Sequence, residues 1–177
     1  MVTLTDVLIF GFGAYLFEYH FVKAEKAREA RQAADSRGKP LLNIGCRWTC
    51  PDSCIGDVNV DIMDCPHNHP SFVKADATDL SMFKDKQFGC VFASHIIEHL
   101  DDPEAAYAEW CRVGDMVIVL TPSPFMVGGF FHPDHKWLFL EAPPGGVAPS
   151  DFDPRNRVPT FFNDQPEPPR RRRRYYR

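Results

Sequence analysis

Between residues 41 and 120 the sequence repeats one pattern: an apolar run of three to six residues, then a polar or amphipathic stretch. Runs that short are strands sooner than helices, and their continuous apolarity fits strands covered on both faces. Leu41–Ile44 reads as a first buried strand, 57–62 as a second, Phe72–Lys74 as a short third, 88–93 as a fourth and 116–120 as a fifth. Pro103–Val113 reads as a helix between the last two, with Asp101 and Asp102 at its amino end and proline in its first turn. Strands that alternate with helices predict an α/β fold, a Rossmann-like parallel sheet of about five strands with flanking helices. The stretch between the first two strands is short for a full crossover helix, so that connection is expected to be a turn or a single helical turn.

The pattern divides the chain into an amino-terminal apolar helix and charged linker (1–38), a sheet domain (39–140) and a Pro/Arg-rich tail (141–177) expected to be extended or disordered. Charge follows the same division. Residues 151–177 hold eight Arg against four acids, whereas the rest of the chain holds twelve basic residues against twenty acidic ones. An acidic body repels phosphate, which confines polyanion binding to the tail, where Arg170, Arg171, Arg172, Arg173 and Arg174 stand together before Tyr175 and Tyr176. That run is read either as a contact for polyanions or a partner protein or as a solvated tail.

Residues 2–22 are rich in Leu, Ile, Phe and Val, but the uninterrupted run, 7–17, is eleven residues, against the roughly 20 that a spanning helix needs. Two readings stand: membrane insertion or interfacial attachment, with Lys23, Lys26, Arg28 and Arg31 on the cytoplasmic side, or a helix packed on the domain or a partner. No cleavable signal peptide is evident, and no small disulfide scaffold is indicated. Cys90 and Cys111 fall in apolar segments as small hydrophobes, which fits a reducing, cytoplasmic setting, at the cytoplasmic face of a membrane if the helix attaches.

Open parallel sheets bind ligands at the carboxyl ends of their strands. Gly45 directly follows the first strand, where a missing side chain permits close approach. Asp61 closes the second strand as an acceptor-only group suited to two ribose hydroxyls. Asp76 and Ala77 follow the third, a carboxylate and a small residue for the adenine end.

The runs Leu42-Asn43-Ile44-Gly45-Cys46, Gly56-Asp57-Val58-Asn59-Val60-Asp61-Ile62, Lys74-Ala75-Asp76-Ala77 and Ser94-His95-Ile96-Ile97-Glu98-His99-Leu100-Asp101-Asp102-Pro103 together resemble the class I methyltransferases of the type 11 group. The resemblance continues through Val117-Ile118-Val119-Leu120-Thr121-Pro122 and His132-Pro133-Asp134-His135-Lys136-Trp137, roughly 100 residues in all. It implies S-adenosylmethionine as cofactor, held by Asn43, Gly45, Cys46, Asp61, Asp76, Ala77 and Ser94, and methyl transfer to a small-molecule, lipid-precursor or sugar-containing acceptor. Family members usually carry an acid at the position of Asn43 and a second glycine where this chain has Arg47-Trp48, and the last two strands of the family's sheet are not expected among these residues. These departures support a rival reading, a catalytically silent methyltransferase-like module that binds or assembles within a larger complex.

Methyl transfer needs alignment more than a catalytic group. Where an acceptor must lose a proton, His95 and His99 are the candidate bases, with His132 and His135 behind them. The plainer reading of His95, Glu98 and His99 is a helix-start cluster that hydrogen-bonds the loop. Cys46, Cys50 and Cys54, followed by Cys65, His67 and His69, invite a zinc reading, but the paired Cys-x-x-Cys spacing is absent and no metal is expected.

Overall fold

The computed structural model describes residues 21–46, 54–65, 68–123, 132–140 and 152–160. Its strands are β1 (Leu41–Ile44), β2 (Val58–Asp61), β3 (Phe72–Lys74), β4 (Cys90–Ser94) and β5 (Val117–Leu120), all parallel in one sheet of order β3-β2-β1-β4-β5. The chain thus starts in the middle of the sheet, runs outward to β3 and crosses back to β4. β1 lies between the two directions, with Ile44 opposite Val60 on one side and Ala93 on the other.

Side chains alternate between two cores, as the period of a strand requires. Leu42, Ile44, Val60, Val91, Ala93 and Val119 face helix α2 (Pro103–Val113), which buries Ala106, Trp110 and Val113 against them. Leu41, Cys90, Phe92, Ile118 and Leu120 face helix α1 (Lys23–Ser36) through Ala30 and Ala34. α1 therefore belongs to the domain, which corrects the expectation of a charged linker up to residue 38. Its two buried positions are alanines, and it lies so close to the sheet that a Cβ on Gly89 would fall 2.9 Å from the Ala34 backbone.

α2 begins as its sequence dictates. The Asp102 side chain accepts a hydrogen bond from the Ala105 amide at 2.9 Å, ahead of Pro103 in the first turn. Trp110, fully buried, donates its indole N–H to the Ala77 carbonyl at 3.0 Å, which fixes the chain just beyond β3. A one-turn 3-10 segment, Ile97–His99, joins β4 to α2.

The boundary expected at residue 140 is passed by the chain that follows. β6 (Trp137–Phe139) pairs antiparallel with β7 (Arg157–Pro159). Phe152 is buried against Phe139 and Tyr107, with ring centroids 5.3 and 5.4 Å away. The Arg157 guanidinium lies 4.5 Å from the Trp137 ring centroid and pairs with Glu104 of α2 at 2.9 Å. Among the described residues no helix is long and apolar enough to cross a membrane. Most of the apolar segment 2–22, along with Arg47, Cys50, His67 and the five-arginine run, lies outside the described residues.

Candidate functional site

The carboxyl ends of β1, β2, β3 and β4 gather Gly45, Asp61, Asp76 and Ser94 at one edge of the sheet. Gly45 has φ of +81°, and a Cβ there would lie 2.1 Å from Cγ1 of Ile96. Glycine is required at this position for two reasons, the left-handed backbone and the seat it gives to Ile96. Its amide donates to the Val60 carbonyl at 2.8 Å. Asn43 is buried and donates its amide to Asn59 Oδ1 at 3.0 Å, so it ties β1 to β2. Asn59 in turn donates to the Gly56 carbonyl and the Ser71 hydroxyl.

Asp61 is half-buried and accepts from the Met63 amide at 2.9 Å. The next two side chains, Ile62 and Met63, are exposed at 60% and 38%, an apolar surface beside a carboxylate that the motifs in the sequence do not single out. Asp76 is exposed and folds its own turn, accepting from the Thr78 amide and hydroxyl at 2.8 and 2.7 Å. Ala77 is half-buried, with its carbonyl engaged by Trp110.

Cys46 is buried, and its thiol is hydrogen-bonded with that of Cys54, with Asp61 nearby. Burial first, then Cys54 and Asp61, push the Cys46 thiol up to about 12, so it stays protonated and inert as a nucleophile at neutral pH. Cys65 is disulfide-bonded.

Beyond β4 the backbone turns sharply. His95 has φ of +56°, its amide donates to the Leu120 carbonyl at 2.9 Å, and its ring lies 3.0 Å from the Ser94 hydroxyl. Burial, helped by Lys23, His135 and His99, pushes His95 down to about 4, so the ring is neutral at pH 7. Lys23, at the start of α1, is itself lowered by burial.

The 3-10 turn then presents Glu98 and His99. Glu98 is fully buried, and neither carboxylate oxygen has a hydrogen-bond partner among the described residues. Burial pushes its carboxyl up to about 8. Leaving such a group unsatisfied costs ~1–3 kcal/mol. His99 Nδ1 lies 2.8 Å from the Asp134 carbonyl, an acceptor-only partner, so Nδ1 carries the proton and Nε2 keeps its lone pair. The same loop brings His135 to 4.8 Å from His99 between ring centroids, with His132 stacked on His135 at 4.3 Å. The cluster does hydrogen-bond the loop, in line with the plainer reading of these residues: Lys136 donates its amide to the Glu98 carbonyl at 2.8 Å. The meeting of Glu98 with His135 is invisible in the sequence, because 36 residues separate them.

Residues 38–115 match the family described as a methyltransferase domain. No curated protein matches the chain. Among solved structures, the [4+2]-cyclase SpnF is similar over 63% of this chain and 51% of its own, with 16% identity and a TM-score of 0.45. The N-methyltransferase NodS of Bradyrhizobium japonicum WM9, solved with S-adenosyl-L-homocysteine, is similar over 62% of this chain and 66% of its own, with 12% identity and a TM-score of 0.44. An S-adenosylmethionine-dependent methyltransferase of Thermotoga maritima is similar over 65% of this chain and 64% of its own, with 20% identity and a TM-score of 0.40. The chain spans about half to two thirds of the length of these structures.

Proposed function

We propose, on the match of residues 38–115 to the methyltransferase domain family, that this chain binds S-adenosylmethionine at the carboxyl edge of its sheet and transfers the methyl group to a small-molecule, lipid-precursor or sugar-containing acceptor. The observation that carries this reading is the half-buried Asp61 at the end of β2 with the exposed apolar pair Ile62 and Met63 directly after it. A nucleoside offers the matching surfaces: vicinal hydroxyls that donate and a flat ring that prefers apolar cover. Those residues fit the cofactor in chemistry and order.

In this proposal Asp61 accepts from the ribose hydroxyls, Ile62 and Met63 cover the adenine, and Asp76 and Ala77 border its far end. Asn43, already engaged with Asn59, holds β1 and β2 in register beneath the site. Gly45, Cys46 and Ser94 form its floor. When bound, the cofactor supplies an electrophilic sulfonium methyl. The chain's contribution is alignment, worth at most ~7–11 kcal/mol, and water exclusion. His95 and His99 are the candidate bases for a hydroxyl or amine acceptor; burial keeps both neutral and also weakens them as bases, His95, pushed down to about 4, by a large amount. Attachment to the cytoplasmic face of a membrane through residues 2–22 would suit a lipid-linked acceptor.

The rival reading of a silent binding module draws on Ile96, whose side chain occupies the space directly over Gly45. Calorimetric titration of the purified chain with S-adenosyl-L-homocysteine separates the two. The enzyme reading expects saturable binding that Asp61→Ala weakens by ~1–3 kcal/mol, roughly 5- to 150-fold in Kd, with the fold intact. Unchanged affinity in Asp61→Ala would remove the ribose assignment, and absence of binding in the parent chain would favour the silent module.

A further inference from the structure

The Glu98, His99 and His135 side chains lie outside the strand-end residues assigned above and place one ligand atom each within 4.8 Å of one another. We propose that these three residues form a binding site for a divalent transition-metal cation, with Zn²⁺ and Mn²⁺ as its simplest occupants.

Glu98 makes the strongest argument. A carboxyl group that is fully buried, with both oxygens lacking a hydrogen-bond partner among the described residues, is rare in a folded chain and calls for a partner. A cation beside it supplies one. His99 is oriented to join it, since the Asp134 carbonyl holds Nδ1–H, which fixes the ring and turns the Nε2 lone pair outward, 3.8 Å from Glu98 Oε1. That outer hydrogen bond to a backbone carbonyl is the arrangement metal-bound histidines generally have. Two imidazoles and one carboxylate are a donor set for Zn²⁺, Mn²⁺ or Fe²⁺, and three protein ligands leave coordination positions open for water or an oxygen ligand. Tetrahedral bonds of about 2.0–2.2 Å place ligand atoms roughly 3.3–3.6 Å apart, so atoms now within 4.8 Å of one another close by about an ångström when the metal binds.

The fold around the cluster is built to hold His135 there. Thr160, next to β7, donates its hydroxyl to the His135 carbonyl and its amide to the Lys136 carbonyl, and Lys136 pairs with Asp101. The segment 152–160 thus returns to the domain and clamps the His135 loop onto the Glu98 turn. Assigning His99 to the metal leaves His95 as the remaining imidazole for proton transfer at the sheet edge. Metal binding is separable from cofactor binding, since its ligands are not the residues proposed to bind the cofactor; only the base role offered to His99 above is given up.

The test is titration of the full chain, freed of metal by chelation, with Zn²⁺ in a calorimeter and with Co²⁺ followed by visible absorption. One equivalent of Co²⁺ giving d–d bands without a thiolate charge-transfer band is expected. Glu98→Gln and His135→Ala, checked for native circular dichroism, should each weaken binding by at least ~100-fold, the upper end of what loss of a supporting partner costs. A thiolate band would put the metal on cysteines and overturn the assignment, as would absence of binding to the parent chain or affinity unchanged in a folded Glu98→Gln. Should both variants fail to fold, the parent chain still decides: an anomalous-scattering peak among Glu98, His99 and His135 in Zn²⁺-soaked crystals supports the site, and a peak elsewhere overturns it.

Discussion

Replacing Gly45 by alanine isolates the contact on which the sheet edge is built. Two penalties arise together. The backbone at φ +81° is strained for any residue with a Cβ, at ~1–2 kcal/mol. The new Cβ would also sit 2.1 Å from Ile96 Cγ1 and 2.2 Å from Cδ1, so the isoleucine must leave its seat, an overpacking cost of ~1–3 kcal/mol. Gly45→Ala is therefore expected to destabilise the domain by ~2–5 kcal/mol in urea denaturation followed by circular dichroism. In a Gly45→Ala, Ile96→Ala double mutant the steric part disappears and only the backbone part remains. The double mutant should then be ~1–3 kcal/mol more stable than the sum of the single changes predicts. Strict additivity would show that Ile96 does not occupy the space over Gly45, and the reason given for this glycine would fail with it.

Two further outcomes follow from the packing and the charges. Phe152→Ala should cost about 3 kcal/mol, because the ring is buried against Phe139 and Tyr107; a loss below ~0.5 kcal/mol in thermal or urea melts would mean that segment 152–160 does not belong to the domain. His95 is held near 4 by burial, with Lys23, His135 and His99 adding to the effect, while its ordinary value is 6.5. As pH falls from 6.5 to 4 the unfolded chain takes up a proton that the folded chain refuses, so stability drops across that window, by up to ~1.4 kcal/mol per pH unit. Urea midpoints measured across it should flatten in His95→Asn, and an unaltered acid limb would contradict the burial of the ring.

Much of the scaffold is legible in the sequence. Leu41–Ile44, Phe72–Lys74 and Pro103–Val113 have the limits that apolar patterning and the Asp102-Pro103 start assign to them. Apolar patterning starts the fourth strand at Phe88; Phe88 makes only an isolated bridge to Gly114, and the ladder proper starts at Cys90. α1 does not announce itself as part of the domain because its buried residues, Ala30 and Ala34, are small and stand among charges. Residues 152–160 do not either, because one aromatic ring among Pro, Asp and Arg gives no periodicity, although Phe152 completes the core.

At the site, the order of Gly45, Asp61 and Asp76 is legible because strand ends can be located from the strands. What each residue does locally is not. Asn43 reads as a cofactor residue by position, yet its amide is engaged with Asn59 across the sheet. Ile96 and Gly45 are 51 residues apart in sequence, and their contact follows only from β1 and β4 lying side by side. Glu98 and His135 meet only because β6 and β7 fold the later loop back over the 3-10 turn.

The central claim is that a nucleoside cofactor binds at the carboxyl edge of the sheet. Hydrogen–deuterium exchange of the full chain, with and without S-adenosyl-L-homocysteine, tests it most directly because it reports where the ligand lies. The account predicts slowed exchange in residues 45–46, 61–63, 76–78 and 94–96, with α2 unchanged. Slowed exchange confined to other segments, or none at saturating ligand, would contradict it.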